Sequence, residues 1–550
     1  MGNLARSSSV YDETVDIMAS DAPTSKIPEQ PNILLIVADQ MCAPILPLYD
    51  PKSPIKMPHL SRLAKEAVVF DSAYCNSPLC APSRFVLMSG QLPSKIGAYD
   101  NAADFVSSIP TFAHHLRRLG YHTCLSGKMH FVGSDQLHGY EERLTSDIYP
   151  ADYGWIVNWD SGEVRQDWYH NMSSVLDAGP CVRTNQIDFD EEVMYKAQQY
   201  LYDYVRKSVG PNKQQPFCLT VSLTHPHDPY TTLKPFWNMY QDVEIPLPTV
   251  NIKSEEQDPH SVRLMKVIDI WNNPMNDEAI RRARRAYFGN CTYVDANVGK
   301  LLNVLEECDL IDNTIVIFSG DHGDFLGERG LWYKMSFLEP SARVPLLIYA
   351  PKYFSPHRVS ESISTIDLLP TLVELAGGQL EPHLEIDGRS LLPHLTNSNV
   401  KHDEVIGEYM AEGTLAPLIM IRRGIYKFIY CSMDPPQLFN ISNDPHEMIN
   451  LAQSSSMEHA QILAQFLKEV QQRWDFSAIT AQVLRSQRQR RFTDAALRIG
   501  QWKPWDHQPF RDSSKQYIRS VAANLDDLEY LARFPRIADL PPSVSKMNTG

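Results

Sequence analysis

Four short apolar runs constrain the fold of this chain more than any other feature. They are found in NILLIVADQ (32–40), PFCLTVSLTHPHDPY (216–230), NTIVIFSGDHGDFLGERG (313–330) and VPLLIYAP (344–351). Continuous apolar runs of this length are typical of parallel strands that are buried on both faces. Segments with helical spacing, such as 281–306, lie between them. The alternation predicts an α/β fold in which helices flank a large, mostly parallel sheet.

The pattern changes near residue 395, where LTNSNVKHDE is typical of a linker. We therefore expect an irregular leader at 1–30, a large domain at 31–395, a smaller C-terminal α+β domain at 400–489 and an aromatic-rich extension at 490–550. Within the smaller domain, strands and turns should be followed by one helix over 456–486.

Charge and hydropathy argue against two classes of partner. The chain has 51 Lys and Arg residues against 66 Asp and Glu, a formal net charge of −15, so its surface as a whole repels polyanions. We therefore expect no nucleic-acid partner. No segment reaches the roughly 18 consecutive apolar residues of a spanning helix, and we expect no membrane partner. Nine cysteines without paired spacing indicate reduced thiols and a cytoplasmic location.

Side chains that can bind a metal follow three of the predicted strands. Asp39 ends the first, His227 follows the second, and Asp321 and His322 follow the third. The carboxyl ends of parallel strands meet at one edge of a sheet, where ligands bind, so these side chains should lie together. Two carboxylates and an imidazole can hold one divalent cation. The alternative for each aspartate alone is the commoner role of helix cap or turn former.

Basic side chains could complete a pocket for an oxyanion. Lys128 and His130 are one residue apart in LSGKMHFVG, and on an extended segment both would point to one side. His225 and His227 alternate with prolines, whose rigid backbone fixes the imidazoles, and Lys334 follows in GLWYKM. Around a metal, such groups would suit sulfate or phosphate. The alternative for the first pair is a solvated lysine beside a surface histidine.

The segment NSPLCAPSRFVLMSG (76–90) raises the question of what Cys80 does. It is either an ordinary buried small residue or a nucleophile, or the precursor of one. CAPSR followed by SG, together with GKMHF and GDHGDFLGERG, resembles the signature of the sulfatase family from residue 31 to about 395. The resemblance implies an alkaline phosphatase-like core, with 31–395 as the catalytic domain.

The resemblance also implies a mechanism for this cysteine. In sulfatases it is oxidised to formylglycine, whose hydrated aldehyde is a geminal diol. One hydroxyl attacks sulfur and expels the alcohol, and the other, deprotonated by His130, expels sulfate. Arg84 and Lys128, together with the metal, would activate the diol. Either His227 or Lys334 would be the general acid for the leaving alcohol.

The metal ligands implied by the resemblance are Asp39, Cys80, Asp321 and His322. We expect one divalent ion, Ca²⁺, with Mn²⁺ and Mg²⁺ as alternatives. Many sulfatases have a second aspartate where this chain has Gln40, and an asparagine where it has His322. Imidazole suits Mn²⁺ better than Ca²⁺. Phosphonate monoesterases resemble this arrangement too.

Further motifs resemble choline sulfatases over nearly the whole chain, among them DYGW, WYHNMSSVLDAG and SLTHPHDPY. The resemblance implies that choline sulfate is hydrolysed to choline and inorganic sulfate. A quaternary ammonium has no hydrogen to donate and is held by aromatic faces and a nearby carboxylate. The substrate-binding residues would be Asn101, Trp155, His170, Asn171 and Glu412. Core packing is the alternative for Trp155.

The C-terminal tail bears on assembly. It carries more aromatic side chains than a solvated terminus should expose, namely Trp502, Trp505, Phe510, Tyr517, Tyr530 and Phe534. Choline sulfatases use this extension between subunits, so the resemblance implies a homotetramer or a homodimer. The alternative is packing of the tail against its own domain.

Two other functions stay open at this point. One is a phosphonate monoester or phosphodiester hydrolase on the same scaffold. The other is a non-catalytic binding protein, if Cys80 is not converted.

Overall fold

The fold is described from a computed structural model that covers residues 30–207, 215–399 and 401–500. The predicted leader, apart from its last residue, and the tail from 501 onward lie outside the described residues. The six tail aromatics on which the assembly prediction depends therefore lie outside them as well. Among the described residues, no helix is long and apolar enough to cross a bilayer.

Fourteen strands form three sheets in the described part of the chain. In chain order they are β1 (Asn32–Asp39), β2 (Val68–Tyr74), β3 (His122–Gly127), β4 (Glu142–Arg143), β5 (Gly179–Cys181), β6 (Phe217–Pro226), β7 (Thr231–Leu233), β8 (Thr314–Gly320), β9 (Leu346–Tyr349), β10 (His357–Ser364), β11 (Glu404–Tyr409), β12 (Leu418–Arg423), β13 (Tyr426–Cys431) and β14 (Gln437–Asn440).

The large sheet has eight strands in the order β10-β2-β9-β8-β1-β6-β3-β4. Its strands are parallel except for β9, which runs antiparallel to both of its neighbours. The mostly parallel sheet predicted from the apolar runs is therefore confirmed. Strand β9 reverses because the chain between β8 and β9 has no long helix to carry it back across the sheet, as a parallel connection requires.

Over the same described residues, fourteen α-helices accompany the sheets. They are α1 (Pro58–Leu63), α2 (Cys80–Ser89), α3 (Pro93–Ile96), α4 (Phe112–Arg118), α5 (Ser173–Leu176), α6 (Asn185–Lys207), α7 (Lys234–Asn238), α8 (Pro259–Val267), α9 (Asp277–Glu307), α10 (Glu339–Ala342), α11 (Leu368–Leu375), α12 (Leu392–Leu395), α13 (Met457–Arg473) and α14 (Phe476–Leu497).

The core lies on both faces of the large sheet. Along β1, Leu34 and Ile36 join one apolar cluster, and Ile33 and Leu35 join the other. Helix α9 covers the first face with a buried stripe of residues predicted to be core, namely Val294, Val298, Leu301, Leu302 and Leu305. Helices α2, α4 and α11 cover the second face. Burial on both faces explains why the strands are continuously apolar.

A second, antiparallel sheet has the order β11-β12-β13-β14. Helix α13 packs on it, with the rings of Phe428 and Phe466 stacked 5.3 Å apart. The single helix predicted over 456–486 is wrong. The chain is extended at Trp474, whose indole N–H donates to Glu408 at 2.6 Å, and Asp475 then caps α14. The proposed domain boundaries stay a prediction.

Candidate active site

The predicted site residues meet at the carboxyl edge of three neighbouring strands. Asp39 ends β1, His227 follows β6, and Asp321 and His322 follow β8. The order β8-β1-β6 puts these three strand ends side by side. The expectation that strand ends bring the four side chains to one place holds in the structure, because parallel strands end at the same edge.

Cys80 is the first residue of α2, a helix whose ten residues are all buried. The amide of Ala81 donates to Asn101 Oδ1 at 3.0 Å, and Ser83 Oγ donates to the Asp321 carbonyl at 2.5 Å. These two hydrogen bonds fix the first turn of α2. The Cys80 sulfur lies 3.2 Å from His322 Nε2. The sulfur is surrounded by polar side chains, whereas a cysteine that only fills space in the core would be surrounded by apolar ones.

The thiol of Cys80 is a poor nucleophile in this position. Burial and the nearby Asp39 raise its pKa to about 11, although Lys128 opposes the shift. Because the thiolate is the reactive form, an unmodified Cys80 would be almost entirely protonated at neutral pH.

Four residues form a candidate metal centre. One ligand atom each from Asp39, Cys80, Asp321 and His322 lies within 4.8 Å of the others, and all four side chains are buried. His322 Nε2 is 3.8 Å from Asp39 Oδ1 and 3.7 Å from Asp321 Oδ2. Two carboxylates and one imidazole suit a divalent cation with oxygen and nitrogen ligands. The donor set therefore fits the metal that the sequence predicts.

The electrostatics keep these donors in the forms that bind a cation. Burial opposes ionisation of Asp39, but the cationic Lys128 and Arg84 outweigh it, and the pKa of Asp39 lies well below its usual range. Burial lowers the pKa of His322, although Asp321 opposes this, so the imidazole is neutral. A carboxylate and a neutral imidazole both offer lone pairs.

Arg84 and Lys128 position the two carboxylates. Arg84 Nε donates to Asp321 Oδ2 at 2.9 Å, and its Nη2 is 3.3 Å from Asp39 Oδ2. Another guanidinium nitrogen donates to the Lys128 carbonyl at 2.6 Å and to Ser222 Oγ at 2.8 Å. The Lys128 ammonium also pairs with Asp39. The alternative of a solvated Lys128 is wrong, since its side chain is fully buried.

The expected extended geometry at Lys128 and His130 is also wrong. Strand β3 ends at Gly127, and His130 has a φ of 57°, in the left-handed region. Both side chains nevertheless flank Tyr149, with Lys128 Nζ 4.0 Å from its ring centroid and the His130 ring centroid 5.3 Å from it. Lys128 and His130 therefore lie close together because both contact the Tyr149 ring.

His130 is buried, and neither ring nitrogen has a hydrogen-bond partner among the described residues. Burial, reinforced by Lys128, lowers its pKa to about 3. The neutral imidazole therefore has a free lone pair directed at no protein donor, as a general base requires.

Lys334 and His227 form one hydrogen-bonded pair. Lys334 Nζ is 2.9 Å from His227 Nε2 and 2.6 Å from Gln40 Oε1. Burial opposes the charge of Lys334, but Cys80, Asp228 and other acidic groups raise its pKa above the usual value. Burial and Lys334 together hold the pKa of His227 well below its usual range. Lys334 carries the proton, and His227 accepts its hydrogen bond.

A cavity of about 210 Å³ opens from Cys80. Its walls include all five residues predicted to bind the substrate, namely Asn101, Trp155, His170, Asn171 and Glu412. The cavity is also lined by His130, His227 and Lys334. His225 does not line the cavity and is hydrogen-bonded to Asp190. A larger groove of about 570 Å³ beside Lys196 contains no predicted site residue, so the chemistry places the site in the smaller cavity.

The lining of the cavity also includes aromatic rings and the carboxylate of Glu412. Trp155 is partly exposed, and its ring lies 5.3 Å from that of Tyr149. Glu412 is 1% exposed, and its Oε1 has no hydrogen-bond partner among the described residues. Burial, with a contribution from Asp100, raises the pKa of Glu412 to about 7. Asn171 is exposed, and its carboxamide oxygen accepts from the Ser173 amide at 2.9 Å.

Sequence reasoning missed two residues of the site. Tyr149 contacts Lys128 and His130 and lies 3.3 Å from His227 Nδ1 through its hydroxyl, although no motif singles it out. Asp228 lines the cavity, and its carbonyl faces His227 Nδ1 at 2.6 Å. It follows His227 directly in the chain, and that adjacency was an available signal.

Comparison with known families agrees with this site. The family model described as Sulfatase matches residues 31–378. A model described as "Choline sulfatase enzyme C terminal" matches 481–534, and "N-sulphoglucosamine sulphohydrolase, C-terminal" matches 327–474. The chain belongs to the sulfatase family and is a sulfuric ester hydrolase.

The chain is also similar to individual proteins within and beyond this family. The chain is 47% identical to the choline-sulfatase of Rhizobium meliloti (strain 1021) over 512 residues, which is 92% of this chain and 99% of that protein. It is 27% identical to arylsulfatase K of Gallus gallus, over 77% of this chain and 79% of that protein. The phosphonate monoester hydrolase from Silicibacter pomeroyi shares the fold, with a TM-score of 0.65 and 22% identity over 81% of this chain and 96% of that one.

Proposed function

We propose that this sulfatase hydrolyses choline sulfate to choline and inorganic sulfate. The observation that carries the proposal is one cavity lined by two unlike sets of side chains, which we call its two ends. The set around Cys80 carries buried cations, and the other set contains the rings of Trp155 and Tyr149 and Glu412, whose Oε1 has no hydrogen-bond partner among the described residues. Choline sulfate has the complementary charges, an anionic sulfate joined by a short chain to a quaternary ammonium. The likeness to a choline-sulfatase over nearly its whole length supports the same substrate.

We assign the ammonium to the wall formed by Trp155, Tyr149 and Glu412. Ring faces attract a cation without needing a hydrogen-bond donor, and Trp155 and Tyr149 already pack edge to face at 71°. His170 and Asn101 complete this end of the cavity, and Asn171 lies at its rim. An aryl sulfate, whose aryl group carries no positive charge, would gain little from the Glu412 carboxylate.

Asp39, Asp321 and His322, with residue 80, would hold the metal. A bound divalent cation supplies Lewis-acid polarisation of the sulfate oxygens. We propose Ca²⁺, with Mn²⁺ and Mg²⁺ as alternatives, because the set contains two carboxylates but also one nitrogen donor.

Cys80 is the residue that we propose is converted to formylglycine. The buried thiol, whose pKa is about 11, is ill suited to attack by itself. Formylglycine, once hydrated, supplies two hydroxyl groups on one carbon, one to attack sulfur and one to release sulfate. Arg84 and Lys128 hold Asp39 and Asp321 in place around it.

Lys334 is the better placed of the two candidate general acids. It carries a proton, whereas His227 is neutral and accepts from it at 2.9 Å. Lys334 would donate to the choline oxygen as the sulfur–oxygen bond breaks, and His227 orients the ammonium for this transfer. His130, neither of whose ring nitrogens has a hydrogen-bond partner in the described part of the chain, would take the proton when sulfate is released.

Two measurements test the proposed function. Turnover of choline sulfate, an aryl sulfate and a phosphonate monoester should favour choline sulfate, and a preference for the phosphonate ester would replace the proposal with a phosphonate hydrolase. The intact mass of the peptide that contains Cys80 should show the aldehyde. An unmodified cysteine in protein without turnover would indicate a binding protein.

We also propose a homotetramer or homodimer, assembled through the 490–550 extension, and action in the cytoplasm. All nine cysteines are free, which suits a reducing compartment. Light scattering of the full chain at micromolar concentration tests the assembly, and a monomeric mass would contradict it.

A further inference from the structure

Helix α14 lies against two segments that line the cavity. One is the turn after Tyr99, which carries Asn101, and the other is the segment from Trp155 to Trp159. Few of its side chains are buried, namely Ile479, Val483, Gln487 and Arg490. Gln487 and Arg490 are three residues apart and so lie on one face of the helix. A buried polar pair on a largely exposed helix indicates specific contacts.

Arg490 makes a buried, two-pronged ion pair with Asp100. Its two terminal nitrogens donate to Asp100 Oδ1 at 2.6 Å and to Oδ2 at 3.0 Å. The side chains are 5% and 0% exposed. Such fork geometry fixes the orientation of both groups, since a planar guanidinium faces a planar carboxylate.

Asp100 in turn fixes the turn that carries Asn101. Its Oδ1 also accepts from the Ala102 amide at 3.0 Å, and its carbonyl accepts from the Ala103 amide at 3.1 Å. Asn101, between these bonds, lines the cavity and accepts from the Ala81 amide, one residue after Cys80. A continuous chain of contacts therefore runs from Arg490 through Asp100 and Asn101 to the start of α2.

Gln487 holds the second wall. Its Oε1 accepts from the Trp159 amide at 2.9 Å, and the side chain is fully buried. The backbone of this segment includes Trp155, whose ring faces the cavity. One face of α14 thus contacts both the turn that carries Asn101 and the segment that begins at Trp155.

We propose that Arg490, supported by Gln487, is a positioning residue for the substrate cavity. It acts through Asp100 and Asn101 and does not touch the substrate. The inference rests on the proposed function, because it gives the C-terminal helix a role in shaping the choline end from within the same chain. The match of the choline-sulfatase C-terminal model begins at residue 481, within α14, and includes Gln487 and Arg490.

The test compares Arg490→Met, Asp100→Asn/Arg490→Met and Arg490→Lys in the full chain. Arg490→Met leaves a buried carboxylate unpaired, so it should lower the melting temperature and reduce kcat/KM for choline sulfate by roughly 10- to 100-fold, with a raised KM. The double variant removes the unpaired charge and should recover the melting temperature but not kcat/KM. Arg490→Lys, with one point charge, should be intermediate.

Arg488→Met is the matched control. Arg488 is two residues away on the same helix, and its ion pair with Asp160 is exposed, with side chains 59% and 35% accessible. Its kcat/KM should stay within about twofold of the unmodified chain. If the double variant recovers kcat/KM together with the melting temperature, Arg490 is merely structural and the proposal is overturned. Equal kinetics for Arg490→Met and Arg488→Met would overturn it as well.

Failure of the proposed function would give a different result. The unmodified chain would then prefer another ester, and that ester replaces choline sulfate in the same comparison. A loss of kcat/KM that the double variant does not recover would still support positioning by Arg490. If Arg490→Met fails to fold, the double variant carries the test by itself.

Discussion

The two ends of the cavity are built on different principles. At the Cys80 end, both carboxylates of the metal centre are paired with cations. Arg84 and Lys128 contact Asp39, and Arg84 also contacts Asp321. At the other end, Glu412 has an oxygen without a partner among the described residues, and the partly exposed Trp155 lines the same cavity. At the first end, each carboxylate of the metal centre already has a cationic partner. At the second end, the Glu412 carboxylate is left to pair with a cationic group of the substrate.

This difference separates chemistry from selectivity. Changes at the paired end should remove turnover of every substrate, because they disturb groups that act on the sulfate itself. Changes at the unpaired end should alter only how well a cationic substrate binds. Choline sulfate and an aryl sulfate, whose aryl group is uncharged, are therefore the two substrates that distinguish the ends.

The largest effect is expected for Cys80→Ala. Sulfate release from both substrates should fall below detection, because no residue is left to form the nucleophile. The fold should persist, since α2 is held through Ala81 and Ser83 rather than through the thiol. Circular dichroism and sulfate assays check this. Cys431→Ala, another buried cysteine, is the control and should keep activity. Residual turnover by Cys80→Ala would contradict the mechanism.

Asp321→Ala should lose both bound metal and activity on both substrates. Asp321 supplies one of the two carboxylates of the metal centre, and Arg84 would be left without one partner. Elemental analysis of the purified protein should show much less than one ion per chain. Asp312→Ala, at the opposite, exposed end of β8, is the control. A full complement of metal in Asp321→Ala would reject this ligand.

Lys334→Met should affect the two substrates unequally, although it lies at the paired end. Choline is a poor leaving group and needs a proton as it departs, so kcat for choline sulfate should fall by roughly 10²- to 10⁴-fold. An aryl sulfate leaves as a phenolate and should lose much less. Steady-state kinetics on both esters measure the difference. Equal losses would assign Lys334 to sulfate binding and return the acid role to His227.

The paired end could be predicted from sequence, and the physical reason is topological. Asp39, Asp321 and His322 follow apolar runs, and parallel strands must end at a common edge. Nothing comparable fixes Tyr149, which lies in a loop, or the backbone of His130, whose φ of 57° no pattern specifies. The family motifs named the substrate-binding residues but gave no distances.

The C-terminal helices show the same limit. Helical spacing continues through 456–486, but the break at Trp474 is decided by its contact with Glu408, 66 residues earlier. The pair of Arg490 and Asp100 joins residues 390 apart in sequence. Tertiary contacts of this kind leave no local periodicity, so only the structure reveals them.

At the unpaired end, Trp155→Ala should raise KM for choline sulfate. The lost cation–π interaction corresponds to about 0.5–2 kcal/mol of binding free energy. KM for an aryl sulfate should change much less, because its binding does not use a cation. Trp271→Ala, an exposed tryptophan outside the cavity, is the control. Equal losses on both substrates would show that Trp155 is structural.

The smallest effect concerns pH and the ionisation of Glu412. Burial raises its pKa to about 7, Asp100 adds to this, and Lys334 and Tyr409 oppose it, with Tyr169 also nearby. The carboxylate form binds the ammonium, so KM for choline sulfate should rise as pH falls through about 7, by roughly two- to fivefold between pH 8 and pH 6. KM for an aryl sulfate should stay flat. Glu412→Gln should raise KM at pH 8 and remove its pH dependence, because no charge is left to titrate. An unchanged pH profile in Glu412→Gln would assign the ammonium to the aromatic rings alone.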